Sequence, residues 1–166
     1  MVLITAEKYY APDGKLQNCW SPDAAKASSH RADCFVKQYD SYAVTSATDK
    51  NKVLGHVNGE LTLNENIADN GGIKLSFDAY QIFMVDQAKD LGKGSKARAT
   101  GFTIPTSQAA YSSIPADVAT SCSSSQQHSP GQWRVNGVAI NSREFARVFS
   151  CPVGSPKSPK TECELW

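Results

Sequence analysis

Between Leu63 and Val85 the chain contains no proline, and Ile67, Ile73, Phe77, Tyr80, Phe83 and Val85 are spread along it. The pattern predicts a helix that begins near Leu63 or Asn64 and is apolar around much of its circumference. Such a helix belongs at the centre of a protein, because no single face can be turned to water without exposing apolar side chains. Any fold available to this chain therefore has to wrap its other elements around this segment. Gly71-Gly72 sits in its middle at a cost of about 1 kcal/mol per glycine relative to alanine. A pair of this kind is expected to admit a neighbouring backbone at close range.

The other elements are shorter. Ser21-Pro22-Asp23 reads as a helix start, with serine at the N-cap and proline at the first position. From there to about Tyr42, Ala25, Ala32, Phe35, Val36, Tyr39 and Tyr42 recur mostly at spacings near three and four, which predicts an amphipathic helix. Tyr10 to Gly14 reads as a turn. Thr45 to Gly59 is polar and reads as a loop ending in an Asn58-Gly59 turn. Lys89 to Arg98 reads as a small basic loop and Ser121 to Gln127 as a low-complexity loop, while Phe102 to Ala119 receives no element. Asn141 is expected to start a last helix through about Phe149, with Glu144 three residues on as in a capping box. Gly154 to Pro159 cannot be helical, and the closing Cys163-Glu164-Leu165-Trp166 suggests a terminus tucked into the body.

With 166 residues the chain can build one core but not two ordinary domains. Its 40% hydrophobic and 20% charged residues are those of a folded chain rather than a disordered one. A net charge of +1 argues against nucleic acid as a partner, since phosphate neutralisation calls for a basic excess. No stretch approaches the roughly 20 apolar residues of a membrane span. Met1 to Lys8 lacks a basic n-region, and its apolar run is too short for a secretory signal; an export signal would have to lie outside this chain.

The five cysteines, Cys19, Cys34, Cys122, Cys151 and Cys163, never fall in C-x-x-C, and His30, His56 and His128 form no H-x₃₋₅-H pair. A self-contained zinc finger is excluded. Wide spacing favours long-range disulfides and an oxidising compartment; free buried thiols are the alternative. The odd number leaves one thiol without a partner in the same chain.

Two clusters carry chemistry. Glu65 and Asp69, four residues apart, project from one helical face. Two like charges so placed repel each other, and they are easiest to keep where a cation or a hydrogen-bond donor satisfies them. Zinc hydrolases commonly use two histidines and one glutamate and leave the fourth position for water. A further carboxylate can then fix the tautomer of a zinc-bound imidazole. The ordinary explanation of the same spacing is a solvated first turn favoured by the helix dipole. In His128-Ser129-Pro130-Gly131-Gln132-Trp133-Arg134, read as a loop stiffened by Pro130, the histidine can donate to a developing oxyanion and the arginine can grip peptide carbonyls.

Together, Val57-Asn58-Gly59-Glu60-Leu61-Thr62-Leu63-Asn64-Glu65-Asn66-Ile67-Ala68-Asp69-Asn70-Gly71-Gly72, His128-Ser129-Pro130, Arg134-Val135-Asn136-Gly137 and the final Cys163-Glu164-Leu165-Trp166 resemble the neprilysin and endothelin-converting-enzyme family of zinc metallopeptidases. Tyr10 to Trp20 is similar to a further stretch of that family, so the resemblance covers nearly all of residues 1–166. It implies a mainly α fold, the C-terminal helical part of a thermolysin-like (zincin) catalytic domain, here incomplete. It implies zinc as cofactor and peptides as substrates. It places the third zinc ligand on Glu65, the orienting carboxylate on Asp69, the transition-state-stabilising histidine on His128 and the active-site arginine on Arg134. It further implies a Cys34–Cys163 disulfide, a lost partner for Cys151, and an extracellular or membrane-anchored ectodomain as the setting.

The departures from that family are large. No histidine precedes His30, so the H-E-x-x-H helix, with two zinc ligands and the general base, is absent from these residues. So is the helical domain that closes the active-site chamber. A cysteine expected near Tyr111 is missing, and Cys19 and Cys122 are additional. These residues alone are therefore expected to be inactive. The alternative is a non-catalytic secreted module that binds peptides or acts as a decoy; a secreted helical domain without any ligand is a third reading.

Overall fold

The computed structural model describes residues 10–11, 13–18, 20–46, 48–49, 51–90 and 127–165, with backbone only at 87–90. Four helices and a small hairpin are present among these residues. Helix α1 spans Pro22–Asp40, strands β1 and β2 span Ala43–Thr45 and Val53–His56, and α2 runs over Leu63–Asp90. Helices α3 and α4 span Gly131–Ile140 and Arg143–Val148. The described residues are mainly helical, as the family resemblance implies.

Local chemistry sets the start of α1. The Ser21 hydroxyl accepts from the Ala24 amide at 3.2 Å, and Pro22 follows at the first position, where its missing N–H costs nothing. Ala32, Phe35 and Tyr39, spaced by three and four, are buried on one face. They form the core with Val44, Val57, Ile67 and Cys163. Helix α1 ends at Asp40 rather than Tyr42, and the chain turns there into β1.

The polar stretch Thr45–Gly59 is not simply a loop. Val53–His56 pairs antiparallel with Ala43–Thr45, with Val44 opposite Gly55 and a bulge between Val44 and Thr45. These strands are too short to show an alternating pattern, and their pairing rests on backbone hydrogen bonds. Val44 and Val57 seat the hairpin in the core at 5% and 3% exposure. Gly59, part of the expected Asn58-Gly59 turn, packs against α1. Its amide donates to Asp40 Oδ1 at 2.7 Å, and a Cβ there would run into the carbonyl oxygen of Val36.

Helix α2 is central only in its first half. Ile67 and Phe77 are 1% and 5% exposed, whereas Leu75, Ile82, Phe83 and Val85 are 45–65% exposed. The expectation of a helix buried all round is corrected for its second half. Among the described residues a Cβ at Gly72 would meet nothing within 4 Å. Close approach occurs instead at Gly137 of α3, where a Cβ would lie 2.6 Å from the Tyr39 hydroxyl of α1.

Residues 131–137, read from sequence as loop, form the first turns of α3. The last helix is capped by Ser142, which accepts from the Phe145 amide at 3.1 Å, not by Asn141. Asn141 instead works as a junction. Its amide nitrogen donates to Gln38 Oε1 and Asn70 Oδ1, and its oxygen accepts from Gln38 Nε2 and the Cys163 amide, over 2.8–3.1 Å. All four hydrogen-bonding positions of the side chain are used, which ties α1, α2 and the final segment together. The Gly154–Pro159 stretch is non-helical, with a Ser155–Ser158 bridge. Tyr10 and Leu16 bridge around the Asp13-Gly14 turn.

Cys34 and Cys163 form a disulfide, 129 residues apart in sequence. In the chain-entropy model, closing so long a loop is worth on the order of 5 kcal/mol. Arg31 Nη1 donates to the Leu165 carbonyl at 2.7 Å, and Lys74 pairs with Glu164 at 2.6 Å, so the segment up to Leu165 is strapped down. Among the described cysteines Cys151 is free. Cys19, Cys122, Trp166, all of the Lys89–Arg98 loop but its first two residues, the Phe102–Ala119 stretch and all of the Ser121–Gln127 loop but Gln127 lie outside the described residues.

One core contact yields a prediction. Tyr42 stacks on Trp133, with ring centroids 4.1 Å apart and planes 6° from parallel, but its buried hydroxyl has no hydrogen-bond partner among the described residues. Burial pushes its pKa up to about 12. The unfolded chain releases this proton first, near pH 10. Stability from this group is therefore intact below about pH 10 and declines as the pH climbs towards 12. Tyr42→Phe removes an unsatisfied buried group, so it should raise stability by up to about 1 kcal/mol and flatten the alkaline decline. Urea unfolding across pH 7–11 checks both; a destabilised variant would show that the hydroxyl is bonded in solution.

Candidate active site

The first turns of α2 present Glu65 and Asp69 on one face, each with a partner from the segment that leads into and starts α3. His128 Nε2 lies 3.1 Å from Glu65 Oε2. Arg134 lays its guanidinium on Asp69, with Nε on Oδ2 and Nη2 on Oδ1, both at 2.7 Å. The repulsion between the two carboxylates is thus offset by two donors one helical turn apart. Spacing alone indicates no contact between these residues; the family resemblance implies that Glu65 and Asp69 face His128 and Arg134, and the fold brings the four together as two pairs.

The two pairs differ in setting. Asp69 and Arg134 side chains are 21% and 32% exposed, and their fork-to-fork geometry is the strongest form of such a contact. The hydrogen bonds to Asp69 raise the Arg134 pKa above its ordinary value against the opposing effect of burial, with the Asp69 and Glu65 charges adding to the rise. Glu65 and His128 are more open, at 36% and 51%.

The register of α3 follows from its start. Pro130 precedes the first helical residue, and its carbonyl accepts from the Trp133 and Arg134 amides at 2.8 and 3.1 Å. Trp133 then reaches the hairpin, its Nε1 donating to the Ala43 carbonyl at 2.9 Å, while Arg134, one residue on, reaches α2. Ser129 is 4% exposed and donates to Asn66 Oδ1 at 2.7 Å. Neither Ser129 nor Asn66 stands out in a scan for catalytic residue types. A signal does exist: Thr62, Asn66 and Asn70 recur every four residues from the position before α2 into a helix otherwise rich in apolar side chains, and polar groups so placed need partners.

The described residues do not by themselves make a zinc site. Among them no group of three or more His, Cys, Asp or Glu side chains is placed to hold a metal ion, and a catalytic zinc takes three protein ligands. Both Asp69 oxygens are engaged by Arg134, which leaves Glu65 as the carboxylate available to a cation. His30 and His56 are exposed and join no such group with Glu65.

Comparison with known proteins is consistent across its parts. The model of peptidase family M13 matches residues 3–165. Endothelin-converting enzyme 1 of Rattus norvegicus is 35% identical over 168 residues, an alignment that takes in 95% of this chain and 20% of that protein. Neprilysin-11 of Caenorhabditis elegans is 34% identical over 166 residues, with 95% and 18% covered. Neprilysin-3 of Drosophila melanogaster is 32% identical over 160 residues, with 95% and 19% covered. The chain therefore spans about a fifth of the length of the curated relatives it matches.

The Asp69–Arg134 contact is measurable without any assay of activity. A double-mutant cycle of Asp69→Asn and Arg134→Lys, followed by urea unfolding, should give a coupling of about 1–2 kcal/mol. A coupling near zero would mean that the pair is not held in solution.

Proposed function

Because the chain belongs to peptidase family M13, we propose that residues 1–166 form the C-terminal portion of the catalytic domain of a zinc metalloendopeptidase. The observation that carries the reading is the convergence of Glu65, Asp69, His128 and Arg134 on one side of α2. The roles assigned to these residues follow from their chemistry. Among the described residues Glu65 is the metal ligand offered, and the other two have to come from an H-E-x-x-H helix that these 166 residues do not contain.

Asp69 can still orient an imidazole. A carboxylate has about four lone-pair sites, and the guanidinium occupies one on each oxygen. Arg134, fixed in direction by Asp69, is set to grip a peptide carbonyl. His128 is set to donate to the carbonyl oxygen on which negative charge develops. These residues bind, orient and stabilise; nothing among the described residues generates the attacking nucleophile. The Cys34–Cys163 disulfide supports an extracellular or ectodomain setting, and no described helix is long and apolar enough to cross a membrane.

The test compares a polypeptide of residues 1–166 with a chimera that joins it to the upstream part of a family relative chosen because it carries H-E-x-x-H. Zinc content after dialysis and turnover of a quenched peptide are read together. The chimera should hold one zinc and cleave, Glu65→Ala should lose both, and His128→Ala should lower kcat by about 10²–10³. The polypeptide alone should do neither. Stoichiometric zinc with chelator-sensitive cleavage by residues 1–166 alone would overturn the assigned division of roles. A chimera that binds peptide but neither zinc nor cleaves would favour the non-catalytic binding module.

A further inference from the structure

Three of the most deeply buried polar side chains in the described core, Thr62, Asn66 and Ser129, are 2%, 1% and 4% exposed and form one directional chain. The Thr62 hydroxyl donates to the Asn58 carbonyl at 2.8 Å. Its oxygen is then left as an acceptor, which takes Asn66 Nδ2 at 2.8 Å. That choice fixes which end of the Asn66 amide faces the other way. Its oxygen must meet Ser129, whose hydroxyl donates at 2.7 Å. Flipping the amide would set an oxygen against an oxygen that has already spent its proton, so one arrangement is selected.

The chain links residues of particular standing. Asn66 immediately follows Glu65, and Ser129 immediately follows His128. The N-cap of α3 is Pro130, which makes no side-chain cap hydrogen bond, and Ser129, one residue before it, is not at the capping position. The Ser129 hydroxyl is spent on Asn66. Burying such groups carries a desolvation cost that a pair of apolar side chains would avoid. What the polar chain provides over an apolar contact is direction. Pro130 fixes the backbone on the far side of Ser129, so the two together leave His128 little freedom.

We propose that Asn66 and Ser129 are positioning residues: their buried hydrogen bond sets His128 against Glu65 and thereby holds the oxyanion donor in register with the ligand-bearing helix. The catalytic meaning of this rests on the function proposed above, but the geometry can be tested apart from it. The first arm uses NMR on residues 1–166 and reads the contact between the His128 ring and the Glu65 methylene protons. The downfield Arg134 Hε signal of the Asp69 pair reports that the fold is intact. Ser129→Ala should lose the first and keep the second, and Ser129→Thr, which retains the hydroxyl, should restore it. Asn66→Leu with Ser129→Ala removes both partners and leaves neither orphaned, so it serves where the single variant is too unstable.

The second arm measures the chimera. Ser129→Ala should lower kcat by about tenfold to a hundredfold with KM within about twofold, and Ser129→Thr should recover most of it. A His128–Glu65 contact that survives Ser129→Ala overturns the proposal. So does loss of the Arg134 signal in both the single and the double variant, which would make the chain of bonds a general prop of the core. A chimera that is inactive throughout, while the contact responds as expected, removes the peptidase reading and leaves the positioning result standing.

Discussion

Tyr39 is fully buried, at 0% exposure, and three helices take their places from it. Gly137 of α3 sits directly on its hydroxyl, with no room for a Cβ. Asn70 of α2 donates to the same hydroxyl at 3.2 Å. The ring meets Tyr42 edge-on, with centroids 5.2 Å apart, and Tyr42 in turn stacks on Trp133 of α3. Burial pushes the Tyr39 pKa well above the ordinary phenol range, which keeps the group neutral. Once α3 is pressed against α1 at this point, its register is fixed at both ends. Gly137 lies on Tyr39, and three residues earlier Arg134 is left facing Asp69. The position of the candidate site is in that sense a consequence of a packing constraint about one turn along the same face of α3.

What could be read from the sequence depended on whether a signal was local. The cap and first turn of α1 are written in Ser21-Pro22, and α2 in a long apolar run, so both were legible. The hairpin was not, because its strands have only three and four residues and depend on pairing across a polar connection. Arg134 was legible as a residue type but not as a helical one. Its helix begins at a glycine after a proline, signals that ordinarily indicate a turn. Asn141 was mistaken for a cap because an asparagine before a serine and a glutamate satisfies the local rule, whereas its partners, Gln38, Asn70 and Cys163, are distant in sequence.

The same distinction separates the residues of the site from those that support it. Glu65, Asp69, His128 and Arg134 could be nominated because carboxylate, imidazole and guanidinium carry recognisable chemistry and their spacing resembles a known family. That they meet could not be read from spacing at all; it depends on the Gly137–Tyr39 contact. Ser129 and Asn66 carry no chemistry of their own, so only the structure shows that they join the two clusters. Their neighbours in sequence attract notice, and they themselves look like ordinary polar residues.

Thr62, just before α2, and Asn66 and Asn70 on it make a polar seam at four-residue intervals, and each reaches a different part of the chain. Thr62 reaches back to Asn58, Asn66 reaches Ser129, and Asn70 reaches both Tyr39 and Asn141. An apolar seam of similar volume would bury its surface with less desolvation cost, but it would tolerate sliding of one helix along another. A slide of one turn, about 5.4 Å, would carry Arg134 from Asp69 to the level of Glu65 or past the end of the pair. Hydrogen bonds with fixed donor and acceptor ends do not survive such a slide. Apolar contacts therefore decide that α1, α2 and α3 pack together, and the polar seam decides at which level they do so. The level is what matters to the candidate site, because His128 and Arg134 each have to face a particular carboxylate.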